Sequence, residues 1–136
     1  MSELDTNLEE EQTQEQTSEQ KHVKQLLIEA LESLDYPVIL QGSLGDEDYP
    51  ESFFTYWLNE SLSDSFYSNK SGETIWYFDL NFYSSLDALE MERIIASAKS
   101  LLEDAGFIAK GMGYDVASDE SSHTGRGMNL IYIEKL

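Results

Sequence analysis

The sequence predicts an α+β fold in the order α-β-β-β-α-β-β, with a largely antiparallel sheet and two helices packed on one of its faces. Two segments have the apolar spacing of amphipathic helices, and a third alternates between apolar and polar residues as a half-buried strand does. The chain of 136 residues has room for one compact domain, and its 40% of hydrophobic residues can form a core.

Helix one is predicted over residues 18–34, where apolar side chains recur at helical spacing. Thr17 and Gln20 have the form of a capping box at its start, and Pro37 disfavours helical geometry in the residue before it. The apolar stripe consists of Val23, Leu26, Leu27, Ala30, Leu31 and Leu34.

Three strands are predicted next, over residues 38–40, 53–58 and 74–83, with polar loops at 42–49 and 61–72. The third strand separates its side chains cleanly between two faces. One face carries Trp76, Phe78, Leu80 and Phe82, and the other carries Ile75, Tyr77, Asp79, Asn81 and Tyr83. The first face is therefore predicted to be core and the second amphipathic.

Helix two is predicted over residues 86–105, with Ser84 or Ser85 as its N-terminal cap and Gly106 as its C-terminal stop. Its apolar residues are Leu86, Leu89, Met91, Ile94, Ile95, Ala98, Leu101, Leu102 and Ala105. Such a stripe over five turns predicts a helix with one buried side.

The last two strands are predicted over residues 107–112 and 128–134, with a polar loop at 113–127 between them. That loop contains Tyr114, Asp115, Asp119, Glu120, His123 and Arg126. A metal site on His123 with nearby carboxylates, or a hydrolase triad of Ser121 or Ser122 with His123 and Asp119, would be possible chemistry here. Neither has a supporting motif, so a solvated loop is favoured and no cofactor, metal ligand or catalytic residue is predicted.

Acidic residues outnumber basic ones by 27 to 8, which gives a formal charge of −19. Seven carboxylates and no basic residue lie in the first 20 residues, so subtracting −7 from −19 leaves −12 for residues 21–136. We interpret residues 1–18 as a disordered acidic tail and residues 19–136 as a single α+β domain. The tail is either a solvated leader or an arm that binds a basic partner.

Composition also excludes several classes of function. An acidic surface repels phosphates, which argues against non-specific binding to nucleic acid or anionic lipid. The chain has no cysteine, which excludes disulfides, thiolate metal sites and cysteine nucleophiles. No apolar run approaches the length of a membrane span, and no signal-peptide pattern is present at the N-terminus, so a soluble protein made in the cytoplasm is expected.

Aromatic residues are concentrated in residues 49–83 and lie on both faces of the predicted strands. One helical layer covers only one face of a sheet, which leaves Tyr77, Tyr83 and either Tyr56 or Trp57 on the other. Tyrosine and tryptophan are favoured in protein interfaces. We interpret this face as a subunit interface, with simple core packing as the alternative.

Several separated blocks carry a resemblance to a known family and together span about residues 22–134. They are PVILQG (37–42), YPESFFTYW (49–57), WYFDLNFYS (76–84), GYDVASDE (113–120) and HTGRG (123–127). These blocks resemble the tail-completion proteins, small structural proteins of tailed phages and prophages of Gram-positive bacteria.

The resemblance implies a tail-terminator type of fold that assembles into a ring, commonly a hexamer. It implies tail-tube and head–neck proteins as partners, a location in the virion after synthesis in the host cytoplasm, and an acidic lumen through which DNA slides. The resemblance leaves open whether the protein terminates the tail or joins it to the head, because small neck proteins share similar folds.

A ring subunit contacts its neighbours through two different surfaces, and long loops are free to reach across. The loop at residues 113–127 places Arg126 among carboxylates, which suits a bidentate ion pair between subunits. The alternative is that Arg126 pairs within its own loop.

The predicted function is therefore that of a non-enzymatic ring-forming subunit that terminates the phage tail and joins it to the head. The alternative is a monomeric acidic interaction module, such as an inhibitor whose carboxylates imitate the phosphates of DNA. A hydrolase built on residues 119–123 is the third hypothesis.

Overall fold

The structure is a computed structural model that describes residues 22–44, 49–63 and 72–135. The predicted acidic tail and the Thr17–Gln20 capping box lie outside these residues. The helices are α1 (Val23–Ala30) and α2 (Ala88–Asp104), and a short 3₁₀ turn (Glu32–Leu34) follows α1. The strands are β1 (Val38–Leu40), β2 (Ser52–Ser63), β3 (Glu73–Ser84), β4 (Ile108–Ala109), β5 (Tyr114–Val116) and β6 (Thr124–Lys135).

The strands form one sheet in the order β1-β2-β3-β6-β4, and β5 also pairs with β6. Only β1 and β2 pair in parallel among the described strands, so the predicted α+β class with a largely antiparallel sheet is confirmed. The central strands β2, β3 and β6 have 12 residues each and run the full length of the sheet.

Both helices pack on the same face of the sheet and share one core with it. Phe78, Leu80 and Phe82 of β3 are buried there, as the alternation predicts. The helices contribute Val23, Leu27, Met91, Ile94, Ile95, Ala98 and Leu102 to that core. Burial of apolar surface is the main force that holds the helices in place. Four phenylalanines belong to this core, together with Leu130 of β6: Phe54, Phe78, Phe82 and Phe107.

The helix ends differ from the prediction. Helix α1 ends at Ala30, and His22 caps it by accepting a hydrogen bond from the Lys24 amide. Helix α2 is capped by Asp87, whose Oδ1 accepts from the Glu90 amide at 2.9 Å. Ser84 does not cap the helix, because its buried hydroxyl accepts from the Leu86 amide and bonds to Ser52.

Residues 113–127 do not form the predicted loop. They contain β5 and the first four residues of β6, which together form an antiparallel pair. Conversely, the predicted strand at 107–112 shortens to β4, because Gly111 and Gly113 both have positive φ and turn the chain. Over the residues that the structure describes, the sheet thus has six strands rather than the predicted five. In addition, β2 continues to Ser63 into a segment predicted as polar loop, because pairing with β3 overrides its weak strand propensity.

Neither described helix has the length and apolar content that a membrane crossing needs.

Candidate functional site on the open face of the sheet

No described helix packs on the second face of the sheet, which we call the open face. Strand β2 contributes Phe53, Thr55 and Trp57, and β3 contributes Ile75, Tyr77, Asp79, Asn81 and Tyr83. Strand β6 contributes Gly125, Gly127, Asn129, Ile131 and Ile133. A β-bulge between Leu58 and Glu60 shifts the register of β2, so that Leu62 pairs with Ile75 on this face.

One end of the open face is covered by a cluster of rings. Phe53 lies 5.5 Å from Tyr49, 5.4 Å from Tyr83 and 6.2 Å from His123, measured between ring centroids. Only 1% of Phe53 is exposed, although it points away from the helices. This end is therefore a small second core, which Tyr49 before β2 and His123 before β6 cover.

His123 ties this cluster together by hydrogen bonds at both ring nitrogens. Its Nε2 lies 2.8 Å from the Pro50 carbonyl oxygen, and its Nδ1 lies 2.8 Å from Ser122 Oγ. Because a carbonyl only accepts, Nε2 carries the proton and donates it to Pro50. In a hydrolase triad, the ring nitrogen that does not face the serine donates to a carboxylate. Here that nitrogen is Nε2, and it donates to the backbone carbonyl of Pro50. His123 therefore links the loop before β2 to the start of β6.

Asp119 and Tyr83 lie near each other beside this cluster. Burial raises the pKa of the Tyr83 hydroxyl, and the negative charge of Asp119 raises it further. Both residues line a cleft of about 330 Å³. Glu120 follows with an exposed side chain, and its amide donates to Ser118 Oγ. Tyr83, Asp119 and His123 are thus the predicted site residues that the fold brings together at this end.

The other end of the open face is exposed and apolar. The side chains of Trp57, Leu62, Ile108 and Ile133 are 42% to 52% exposed, and we call these four residues the apolar patch. Tyr77 lies half-buried among them, because its neighbour across the sheet is Ile131, which in turn pairs with Ile108. Large apolar residues gathered on one surface mark an interaction site more often than the same residues scattered singly.

Asp79 and Asn129 form a polar row between the ring cluster and the apolar patch, and Trp57 of the patch borders this row. Asp79 pairs with Trp57 on β2 and with Asn129 on β6, so these three side chains stand next to one another. The Tyr114 hydroxyl donates to Asn129 Oδ1 at 3.2 Å. Burial raises the pKa of Tyr114, and the Asp79 carboxylate adds to that rise, which agrees with their proximity.

Two glycines of β6 make room for the tyrosines of this face. A Cβ at Gly127 would come within 2.7 Å of the Tyr114 ring, and one at Gly125 within 2.9 Å of the Tyr83 ring. Both rings therefore lie directly on the backbone of β6. The sequence Gly-Arg-Gly in this strand is what positions the two tyrosines.

Arg126, between those glycines, points to the helix side of the sheet. Its guanidinium pairs with Glu92 of α2, donates to the Met112 carbonyl oxygen at 3.1 Å and lies 3.8 Å from Asp115. Only 17% of its side chain is exposed, whereas 98% of the Asp115 side chain is. The cation predicted to reach a neighbouring subunit is thus engaged inside its own chain, with partners on α2 and on the turn before β5.

The fold places Tyr77, Tyr83 and Tyr114 on the open face but puts Arg126 and Asp115 on the opposite side. Sequence reasoning did not single out Asp79 or Asn129, although the alternation of β3 already placed Asp79 on this face. Among the described residues, no group of three or more histidine and acidic side chains could hold a metal ion. The open face thus combines an apolar patch, a polar row and a buried aromatic end.

Comparison with known proteins gives no matching family model and no matching curated protein.

Proposed function

We propose that the protein is a non-enzymatic structural subunit of the neck or tail end of a tailed phage, and that it assembles into a ring. The observation that carries the proposal is the apolar patch on the open face of the sheet. A subunit that is buried in an assembly leaves such a surface exposed when it is isolated.

The side chains of the open face are of the kinds that support assembly. Trp57, Tyr77 and Tyr114 supply large rings that lose little conformational freedom on binding, and Ile133 and Leu62 supply the surrounding apolar area. Trp57, Leu62, Tyr77 and Ile133 lie on the 12-residue strands β2, β3 and β6, and Tyr114 lies on the short strand β5, which pairs with β6. Most of this surface is therefore held in place before binding. In the assembled particle this surface would be covered by a partner rather than by water.

The charge of the chain fits a passage for DNA. A formal charge of −19 on each copy repels the phosphate backbone and would let DNA slide without sticking. A monomeric DNA-mimicking inhibitor would share the negative charge, but it would not need an exposed apolar patch.

The test uses two variants of the apolar patch, Trp57→Ser and Ile133→Ser, in a complementation assay for phage particles. Leu89→Ser is the matched control, because Leu89 is 62% exposed on α2, away from the open face. We expect the two patch variants to fold but to give tailless or unjoined particles, and the control to give infectious ones. Light scattering on the purified proteins reports the ring directly.

Infectious particles at wild-type levels from both patch variants would contradict the proposal. A stable monomer that competes with DNA for a basic protein would favour the inhibitor instead.

A further inference from the structure

We propose that Asp79 binds an arginine or lysine side chain that a different protein of the assembly inserts into the open face. This inference rests on the proposed function, because it names the chemistry of the partner that covers that face.

The surroundings of Asp79 suit a cation. Its carboxylate is half-buried in the middle of the sheet, with Trp57 on one side and Asn129 on the other. Tyr114 lies just beyond Asn129 and bonds to it. An indole and a phenol present negative faces that attract a cation, and the carboxylate accepts its hydrogen bonds.

Asp79 has no cationic partner of its own in the part of the chain that the structure describes. The ion pairs found there join Arg93 to Glu90 and Arg126 to Glu92 and Asp115. A half-buried carboxylate that is covered by a partner loses its water, and the loss is costly unless the partner brings a positive charge. The partner surface over Asp79 must therefore supply one.

Charge complementarity favours a different protein over a second copy. Two open faces packed together would bring Asp79 and Glu60 of one copy against the same carboxylates of the other, which is repulsive. The chain has only 8 basic residues against 27 acidic ones. Of these, Arg93 and Arg126 are already paired within the chain.

Arginine fits the site better than lysine does. Its guanidinium can stack on the Trp57 indole while two of its N–H groups reach the carboxylate. A lysine ammonium can also lie over the indole, but it is a point charge that cannot stack as a plane or match the carboxylate with two parallel N–H groups. The apolar patch next to Asp79 then receives the apolar neighbours of that arginine, so the cation sets the register and the patch supplies the buried area.

The probe is the dipeptide acetyl-leucyl-arginine amide, titrated into the protein and followed by amide and indole NMR shifts. The neutral control is the citrulline analogue, which has the same shape without the charge. We expect shifts at Trp57, Asp79 and Asn129 with the arginine peptide, and binding about ten-fold weaker with citrulline. Equal binding of the two peptides would overturn the proposal.

Two variants locate the effect. Asp79→Asn keeps the size of the side chain and should weaken the arginine peptide about ten-fold, whereas Asp104→Asn, at an exposed end of α2, should leave binding unchanged. Circular dichroism checks that both remain folded. An Asp79→Asn protein that binds the peptide as the wild type does would overturn the assignment of the site.

The mass of the ring, measured by light scattering, distinguishes a failure of this inference from a failure of the proposed function. Asp79→Asn should leave the ring unchanged in light scattering but reduce the joining of particles. Loss of the ring in this variant would mean that a second copy covers Asp79, which would overturn the choice of partner. If the patch variants assemble normally while the peptide still binds at Asp79, the proposed function fails and the cation site stands.

Discussion

The ring of Tyr114 lies on the backbone of Gly127, with so little space between them that a Cβ at position 127 would come within 2.7 Å of the ring. The same tyrosine reaches Asn129 with its hydroxyl and so borders the polar row of the open face. A glycine in β6 thus fixes the position of a residue on β5, and through it one edge of the candidate interface.

Gly127→Ala should therefore displace the Tyr114 ring and destabilise the fold by about 1 to 3 kcal/mol, the usual cost of forcing an extra methyl group into a packed site. Chemical denaturation measures the change. Tyr114→Ala in the same chain is the control, because removal of the ring removes the closest contact and leaves only the Asn81 side-chain oxygen, 2.9 Å from the added Cβ. The double variant should lose clearly less stability than the sum of the two single ones, and simple additivity would contradict the contact.

The helix–sheet core makes a second prediction. Leu102 is fully buried on α2, so Leu102→Ala should cost about 2 to 5 kcal/mol in the free energy of unfolding. Leu89→Ala, on the same helix but 62% exposed, should change it by less than about 0.5 kcal/mol. Similar losses in both variants would mean that α2 does not present the buried face described.

Arg126→Ala should lower the free energy of unfolding. The Arg126 guanidinium links β6 to α2 and to the turn before β5, and its loss leaves the Met112 carbonyl and Glu92 without their cation. Because Glu92 is half exposed, we expect a cost of about 1 to 2 kcal/mol. Arg93→Ala, which breaks an exposed pair within one helix turn, is the matched control and should cost little. Whether Arg126 also acts in assembly stays a prediction, and a fully stable Arg126→Ala protein with an assembly defect would favour it.

Tyr83 and Tyr114 of the open face should make the free energy of unfolding fall at alkaline pH. The pKa values of Tyr83 and Tyr114 are raised in the fold, by burial and by nearby carboxylates. Their contribution is complete below about pH 10, where both states hold the phenolic proton, and it is lost as pH rises because the unfolded chain ionises first. Tyr83→Phe should flatten this loss, as measured by denaturation across the alkaline range and by the phenolate absorbance. An unchanged slope would contradict the raised pKa.

Much of the fold follows from local pattern. The predicted range of β3 differs from the observed one by a single residue at each end, because its alternation is strict and both its neighbours are long strands. The predicted range of α2 is two residues too long at its start and one at its end, because Asp87 rather than a serine supplies the cap. Strand β5 could not be predicted, since its three residues are too few to show a periodicity, and only pairing with β6 makes them a strand.

The candidate site follows from the sequence only in part. The alternation of β3 predicts Tyr77 and Tyr83 on the uncovered face, and the structure places them there. The neighbours of Asp79 depend on strand order, which brings β6 next to β3 across 50 residues of chain. The pairing of Arg126 with Glu92, 34 residues apart, likewise depends on how α2 crosses the sheet.

The central claim, that the open face is covered in the assembled particle, can be measured by thiol labelling. The chain has no cysteine, so Ile133→Cys places a single thiol in the apolar patch, and Leu89→Cys reports general access of the reagent. We expect a maleimide to label Ile133→Cys in the free subunit but not in the particle, and to label Leu89→Cys in both. Equal labelling of Ile133→Cys in the free subunit and in the particle would contradict it.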